Sequence, residues 1–134
     1  MNFPTANGFD GDEPQRWSIR LSRRADDEIE AAREYFERTA GEETAEEWQS
    51  GLRREIAKLS QFPARLPVAP EDKLFKETVR VLLYRRTARG PAYRIFFVLR
   101  ETAQEAPTVG IIHVRHAARA RMTRKEAREI EGSE

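Results

Sequence analysis

Ala92-Tyr-Arg-Ile-Phe-Phe-Val-Leu-Arg100 and Thr108-Val-Gly-Ile-Ile-His-Val-Arg-His-Ala-Ala-Arg119 are the two runs on which the fold turns. Each is apolar, rich in β-branched and aromatic residues, and bounded by a turn signal, Gly90-Pro91 before the first and Pro107 before the second. They read as strands. The pair also carries arginines and both histidines of the chain. A core strand gains nothing from Arg94, Arg115 or His116, because burying an unpaired cation costs on the order of several kcal/mol. These residues are therefore expected to face solvent, a partner protein or a polyanion.

Working outward, Thr78 to Tyr84 repeats the strand character, and Trp17 to Leu21 alternates apolar and polar positions as a half-buried strand does. Between them lie two amphipathic helices. Ser22 can cap the first, whose opening turns hold Asp26, Asp27 and Glu28 and whose apolar stripe is Ala25, Ile29, Ala32 and Phe36, with Gly41 as the stop. The second carries Ala45, Trp48, Leu52, Ile56 and Leu59 and ends near Phe62, since Pro63 disfavours helical geometry in the residue before it. Three prolines between Pro63 and Glu71 mark an irregular connector. Thr123-Arg-Lys-Glu126 has capping-box spacing and predicts a short helix from about Arg124 to Glu131. With no wide apolar stripe, that helix is expected to fray or to need a partner. The order β-α-α-β-β-β predicts an α+β fold. Residues 1–15 read as a disordered leader, 16–119 as the domain, and 120–134 as a polar tail or short helix.

The chain has 134 residues, enough for one domain and too few for two comfortable ones. It contains no cysteine, which removes disulfide and thiolate-metal readings and fits a reducing compartment. No apolar run approaches the roughly 20 residues of a membrane helix, so a cytoplasmic protein without membrane association is expected. The formal charge of +1 hides an asymmetry. Residues 79–128 hold twelve Arg and Lys against three Asp and Glu, a local +9, and the rest of the chain sums to −8. Eleven of the twelve are Arg, which forks onto phosphate or carboxylate oxygens where Lys acts as a point charge. A polyanion or an acidic protein partner is indicated.

The element order resembles the RelE/ParE superfamily of toxins from type II toxin-antitoxin modules, also described as plasmid-stabilisation proteins. The residues carrying the resemblance are the Tyr93-Arg94-Ile95 step, the helix exit Phe62-Pro63-Ala-Arg65, and the ending Ile-Ile-His-Val-Arg-His116-Ala-Ala-Arg119, similar to the family's hydrophobic strand followed by His-x-x-Arg. It spans roughly Trp17 to Arg119. The resemblance implies a twisted antiparallel sheet with two helices packed on one face and a basic concave face on the other. It also implies a growth-inhibiting protein with a cognate antitoxin, in a heterotetramer or larger complex. In the ribonuclease branch the concave face grips mRNA on the ribosome and cleaves it without metal. In the ParE branch the toxin poisons DNA gyrase and needs no catalytic residues.

Metal-free RNA cleavage needs a base, an acid and cations at phosphorus. By the resemblance Arg94 would contact the scissile phosphate, and His116, from the His-x-x-Arg ending, would transfer a proton. Arg80, Arg115 and Arg119 would bind substrate or partner. An ion pair across the sheet is the alternative for Arg94. His113 and His116, three apart on a strand, point to opposite faces, which argues against a His-x-x-His metal site; no cofactor is expected. His113 reads as a satisfied sheet histidine. The ribonuclease branch often uses a tyrosine near the C-terminus, and here none follows Tyr93. The functional reading at this level is a ribosome-dependent endoribonuclease toxin. A gyrase inhibitor and a non-toxic RNA- or protein-binding module remain alternatives.

Overall fold

The computed structural model describes residues 16–134; the expected leader, residues 1–15, lies outside the described residues. Ser22 stands in extended backbone, and its hydroxyl accepts the Ala25 N–H at 3.0 Å. That bond ends strand β1 (Ser18–Leu21) and opens helix α1 (Arg23–Ala40). Gly41, at φ +97°, turns the chain directly into α2 (Glu42–Ala57). The helices are tied on their outer side by Arg33, which reaches Glu42, Glu46 and Gln49.

The second helix stops earlier than its stripe predicts. A 3₁₀ turn over Lys58–Ser60 carries Leu59 into the core, and Phe62 takes left-handed backbone, φ 52°, ψ 46°, ahead of a second 3₁₀ turn at Pro63–Arg65. A third runs over Pro70–Leu74. Strands β2 (Arg80–Arg85), β3 (Ala92–Arg100) and β4 (Thr108–His116) then complete a sheet of order β1-β4-β3-β2. The three later strands are antiparallel, as expected, whereas β1 lies parallel to β4. The sheet is therefore mixed, because the β1-to-β4 route crosses over through both helices. The architecture is α+β and of RelE/ParE type.

Each face of the sheet has its own core. Towards α1 and α2, Ala25, Ile29, Phe36, Trp48, Leu52 and Ile56 pack on Tyr93, Ile95, Phe97, Val109, Ile111 and Val114. Tyr84 donates its hydroxyl to the Trp48 carbonyl at 3.0 Å, anchoring β2 to α2. On the opposite face, Phe96, Val98 and Ile112 are covered by Ala69, Phe75, Val79, Met122, Ala127 and Ile130.

That second core corrects two expectations. Helix α3 (Arg124–Gly132) neither frays nor waits for a partner: Ala127 and Ile130 bury completely against the sheet, and the complete Thr123–Glu126 capping box closes its N-terminus. A stripe two residues wide suffices because the sheet supplies the rest of the apolar surface. The face opposite α1 and α2 is accordingly not an open basic concavity but a covered one.

Candidate functional site

Strand register places the arginines. Arg94 on β3 lies directly opposite Arg115 on β4, and Tyr93 opposite His116. The pairing slips between Phe96 and Phe97: Phe96 faces His113 while Phe97 faces Ile111, so Ile112 is an extra residue on β4. A one-residue slip exchanges the faces of everything beyond it. Ile111 points to the helices, and His113 and Arg115 point with Arg94 to the covered face. Val114 and His116 return to the helix side.

Glu71 takes both terminal nitrogens of Arg94, with Nη1–Oε2 at 2.6 Å and Nη2–Oε1 at 2.7 Å, and the guanidinium lies 4.8 Å from the centre of the Phe96 ring. This is the bidentate fork expected of Arg with carboxylate, and it holds the Glu71 carboxyl below the usual carboxylate range despite partial burial. The ion-pair alternative for Arg94 is what the structure contains, with the acid supplied by the 3₁₀ turn rather than by a strand.

Arg115 departs from the expectation of exposure, being 4% exposed. It donates to the Ala120 carbonyl at 2.8 Å, lies 3.4 Å from Glu126, and approaches His113 Nε2 at 3.4 Å. Arginine has no acceptor, so His113 Nε2 is assigned as the acceptor and the ring proton to Nδ1. Nδ1 is 2.8 Å from Glu28 Oε2, though off the line of a well-formed hydrogen bond. Glu28 Oε1 takes the Val114 N–H at 2.8 Å, satisfying the β4 edge beyond the end of β1. His113, 1% exposed, is buried in the sheet as expected but only partly satisfied, since its Nδ1 lacks a well-formed hydrogen bond.

Arg119 is exposed and donates to Glu126 at 3.0 Å. Glu126 thus serves Arg115, Arg119 and the helix cap together; the Thr123 N–H, then the two guanidiniums, hold its carboxyl below the usual range. Arg80 reaches the other way, to the carbonyls of Leu66 at 2.6 Å and Ala64 at 3.2 Å, and fastens the connector to β2. His116 sits edge-on to Tyr93 with ring centres 5.1 Å apart, and its Nδ1 accepts the Ala118 N–H at 2.9 Å.

The structure therefore brings Arg94 and Arg115 together, attaches Arg119 to them through Glu126, and leaves His116 and Arg80 on the other side of the sheet. Sequence reasoning missed Glu71, since nothing marks one acid in a proline-rich connector. Glu126 was visible as a cap but not as a counter-ion. Among the described residues no group of three or more His, Cys, Asp or Glu could hold a metal ion. None of their helices is long and apolar enough to cross a membrane.

Residues 19–121 match the family model described as the ParE toxin of the type II toxin-antitoxin system parDE. The chain belongs to the ParE toxin family. A chain of the chromosomal ParDE toxin-antitoxin system from P. aeruginosa shares the fold, with a TM-score of 0.55 at 16% identity, over 75% of this chain and 96% of that one. No curated protein matches the sequence. The family match ends before α3 begins, so the helix covering the sheet of this ParE-family chain lies beyond it.

Proposed function

We propose that this ParE-family chain is the toxin of a type II module and arrests growth by binding a protein target, DNA gyrase as in the ParE branch, rather than by cutting RNA. The observation that carries this reading is the closure of Arg94 on Glu71 beneath a covered face. A phosphate-stabilising arginine must offer its donors to the substrate, and a proton-transfer group must reach the same atoms. Here both terminal nitrogens of Arg94 are taken by Glu71, the histidine on that face is buried, and His116 is on the other side. Under this reading Arg94, Arg115 and Arg119 serve the fold, and no cofactor is required.

A cognate antitoxin is part of the same proposal. Phe62, 45% exposed and in left-handed backbone that costs an L-residue roughly 1–3 kcal/mol, lines a groove of about 300 Å³ with Leu59, Leu66 and Leu82. Arg65, stacked at 4.2 Å on the Phe62 ring, rims it together with Lys58, which is paired at 2.7 Å with Glu55 on the same rim. An apolar floor with Arg65 beside it suits an amphipathic segment carrying an acid.

Induced expression in a bacterial host, with and without the neighbouring reading frame, tests the module. Growth arrest relieved by the neighbour, whole messages by 5′-end mapping, and loss of supercoiling by purified gyrase are expected. Codon-registered cuts in messages with gyrase unaffected would replace this reading by the ribonuclease one. Uninhibited growth would leave a binding module on the same fold.

A further inference from the structure

We propose that the groove between the 3₁₀ turn Pro70–Leu74 and helix α3 binds the phosphate backbone of a nucleic-acid duplex. The groove, about 530 Å³, is lined by Lys73, Lys76, Arg124 and Arg128, with Glu131 as its one acid. That acid is already committed, accepting the Lys76 backbone N–H at 2.7 Å.

The four cations of this groove are both gathered in one groove and, among the described residues, without a carboxylate partner, whereas exposed arginines such as Arg38 and Arg54 share only the second property. Arg33, Lys58, Arg86, Arg100 and Arg119 each have a carboxylate within ion-pair distance. Among the described residues the ion pairs include none from Lys73, Lys76, Arg124 or Arg128, all of which are exposed. Arg121 and Lys125, also exposed, extend the charge along the start of α3. Arg124 and Arg128 are one helical turn apart, roughly 6 Å along the axis, and both line the same groove. Like charges held together without a counter-ion favour an anion between them.

The choice of anion follows from what the groove lacks. A peptide site is expected to have an apolar or aromatic anchor at its centre, and the groove's two large apolar side chains belong to the core beneath it, Phe75 at 9% exposed and Leu74 half-buried against it. A single strand would need exposed rings on which to stack bases, and none lines the groove. A duplex backbone needs only cations on a wet, polar surface. The inference goes beyond the proposed target, and its test involves neither gyrase nor growth.

Fluorescence anisotropy of a mixed-sequence DNA duplex of about 20 base pairs, titrated with the full chain between about 50 and 200 mM salt, provides the test. Binding in the micromolar range is expected. Lys73→Ala/Lys76→Ala and Arg124→Ala/Arg128→Ala should each weaken it about tenfold and lower the slope of log affinity against log salt by about 1.8. Arg38→Ala/Arg54→Ala, which removes the same charge from exposed positions on α1 and α2, should leave affinity and slope nearly unchanged. Circular dichroism verifies that every variant keeps its helix content. Groove variants indistinguishable from the helix control would overturn the proposal. So would tighter binding of a single strand, or displacement of the duplex by poly-glutamate at lower concentration than by unlabelled duplex; the last would make the groove an acidic-protein site.

Discussion

Glu71→Gln removes one charge while keeping size and one carbonyl acceptor, and it isolates what the fork to Arg94 contributes. Glu71 and Arg94 side chains are 13% and 20% exposed and meet through two short charge-assisted bonds. Fully buried pairs cost about 3–5 kcal/mol to break by removing one partner, and exposed pairs about 0–1. This pair lies between. Arg94 would then face Arg115 across the strands without its carboxylate partner, so we expect a loss of about 2–3 kcal/mol at pH 7. For a chain of this size that lowers Tm by about 10 °C.

The pH dependence fixes the cause. The Glu71 carboxyl is held below its unfolded value, first by the Arg94 hydrogen bonds. A depressed carboxylate contributes stability that is complete above the unfolded pKa, about 4.3, and is lost as pH falls through the folded pKa. The gap between Glu71→Gln and the wild type should therefore be full at neutral pH and close progressively in acid below about pH 4. Urea melts at pH 7 and pH 3, with a double-mutant cycle through Arg94→Met, measure both. A change under about 0.5 kcal/mol at pH 7, or the same gap at both pH values, would refute the argument.

Leu52→Ala, at a fully buried position between α2 and the sheet, should cost about 2–5 kcal/mol, read as a lower urea midpoint with an unchanged m-value. Gly51→Ala should destabilise by about 1–3 kcal/mol, because its Cβ would fall impossibly close to the Tyr84 hydroxyl; adding Tyr84→Phe should recover part of that loss, and an equal loss in both backgrounds would contradict the packing. Thr123→Ala removes the α3 cap and should cost about 1 kcal/mol, with faster amide exchange in Ala127 and Ile130 than in β3.

Elements whose geometry is local were legible in the sequence. Ser22 and Gly41 bound α1, the two helix stripes supply one core, and β3 runs over the residues its apolar pattern marks. Three features were not legible, for separate physical reasons. The parallel pairing of β1 depends on where the crossover returns, which periodicity does not encode. The slip at Ile112 decides which face His113, Arg115 and His116 occupy, and a run of alternating strand residues looks the same with or without one extra member. The cover over the second face rests on Ala127 and Ile130, too few positions to register as an amphipathic stripe.

These last two features together change what the +9 segment does. The slip sets Arg115 beside Arg94 on one face, two cations that no core tolerates unneutralised. The chain answers with its own acids, Glu71 from the connector and Glu126 from α3, and carries Ala127 and Ile130 into the apolar surface beside them. Arg115 thereby helps to hold α3 through Glu126, and Arg94 holds the connector through Glu71. The unpaired positive charge moves outward, onto Arg121, Arg124, Lys125 and Arg128 of the segment that covers them. A basic sequence segment thus marks where charge enters the fold, while the strand register and the capping helix decide where it emerges.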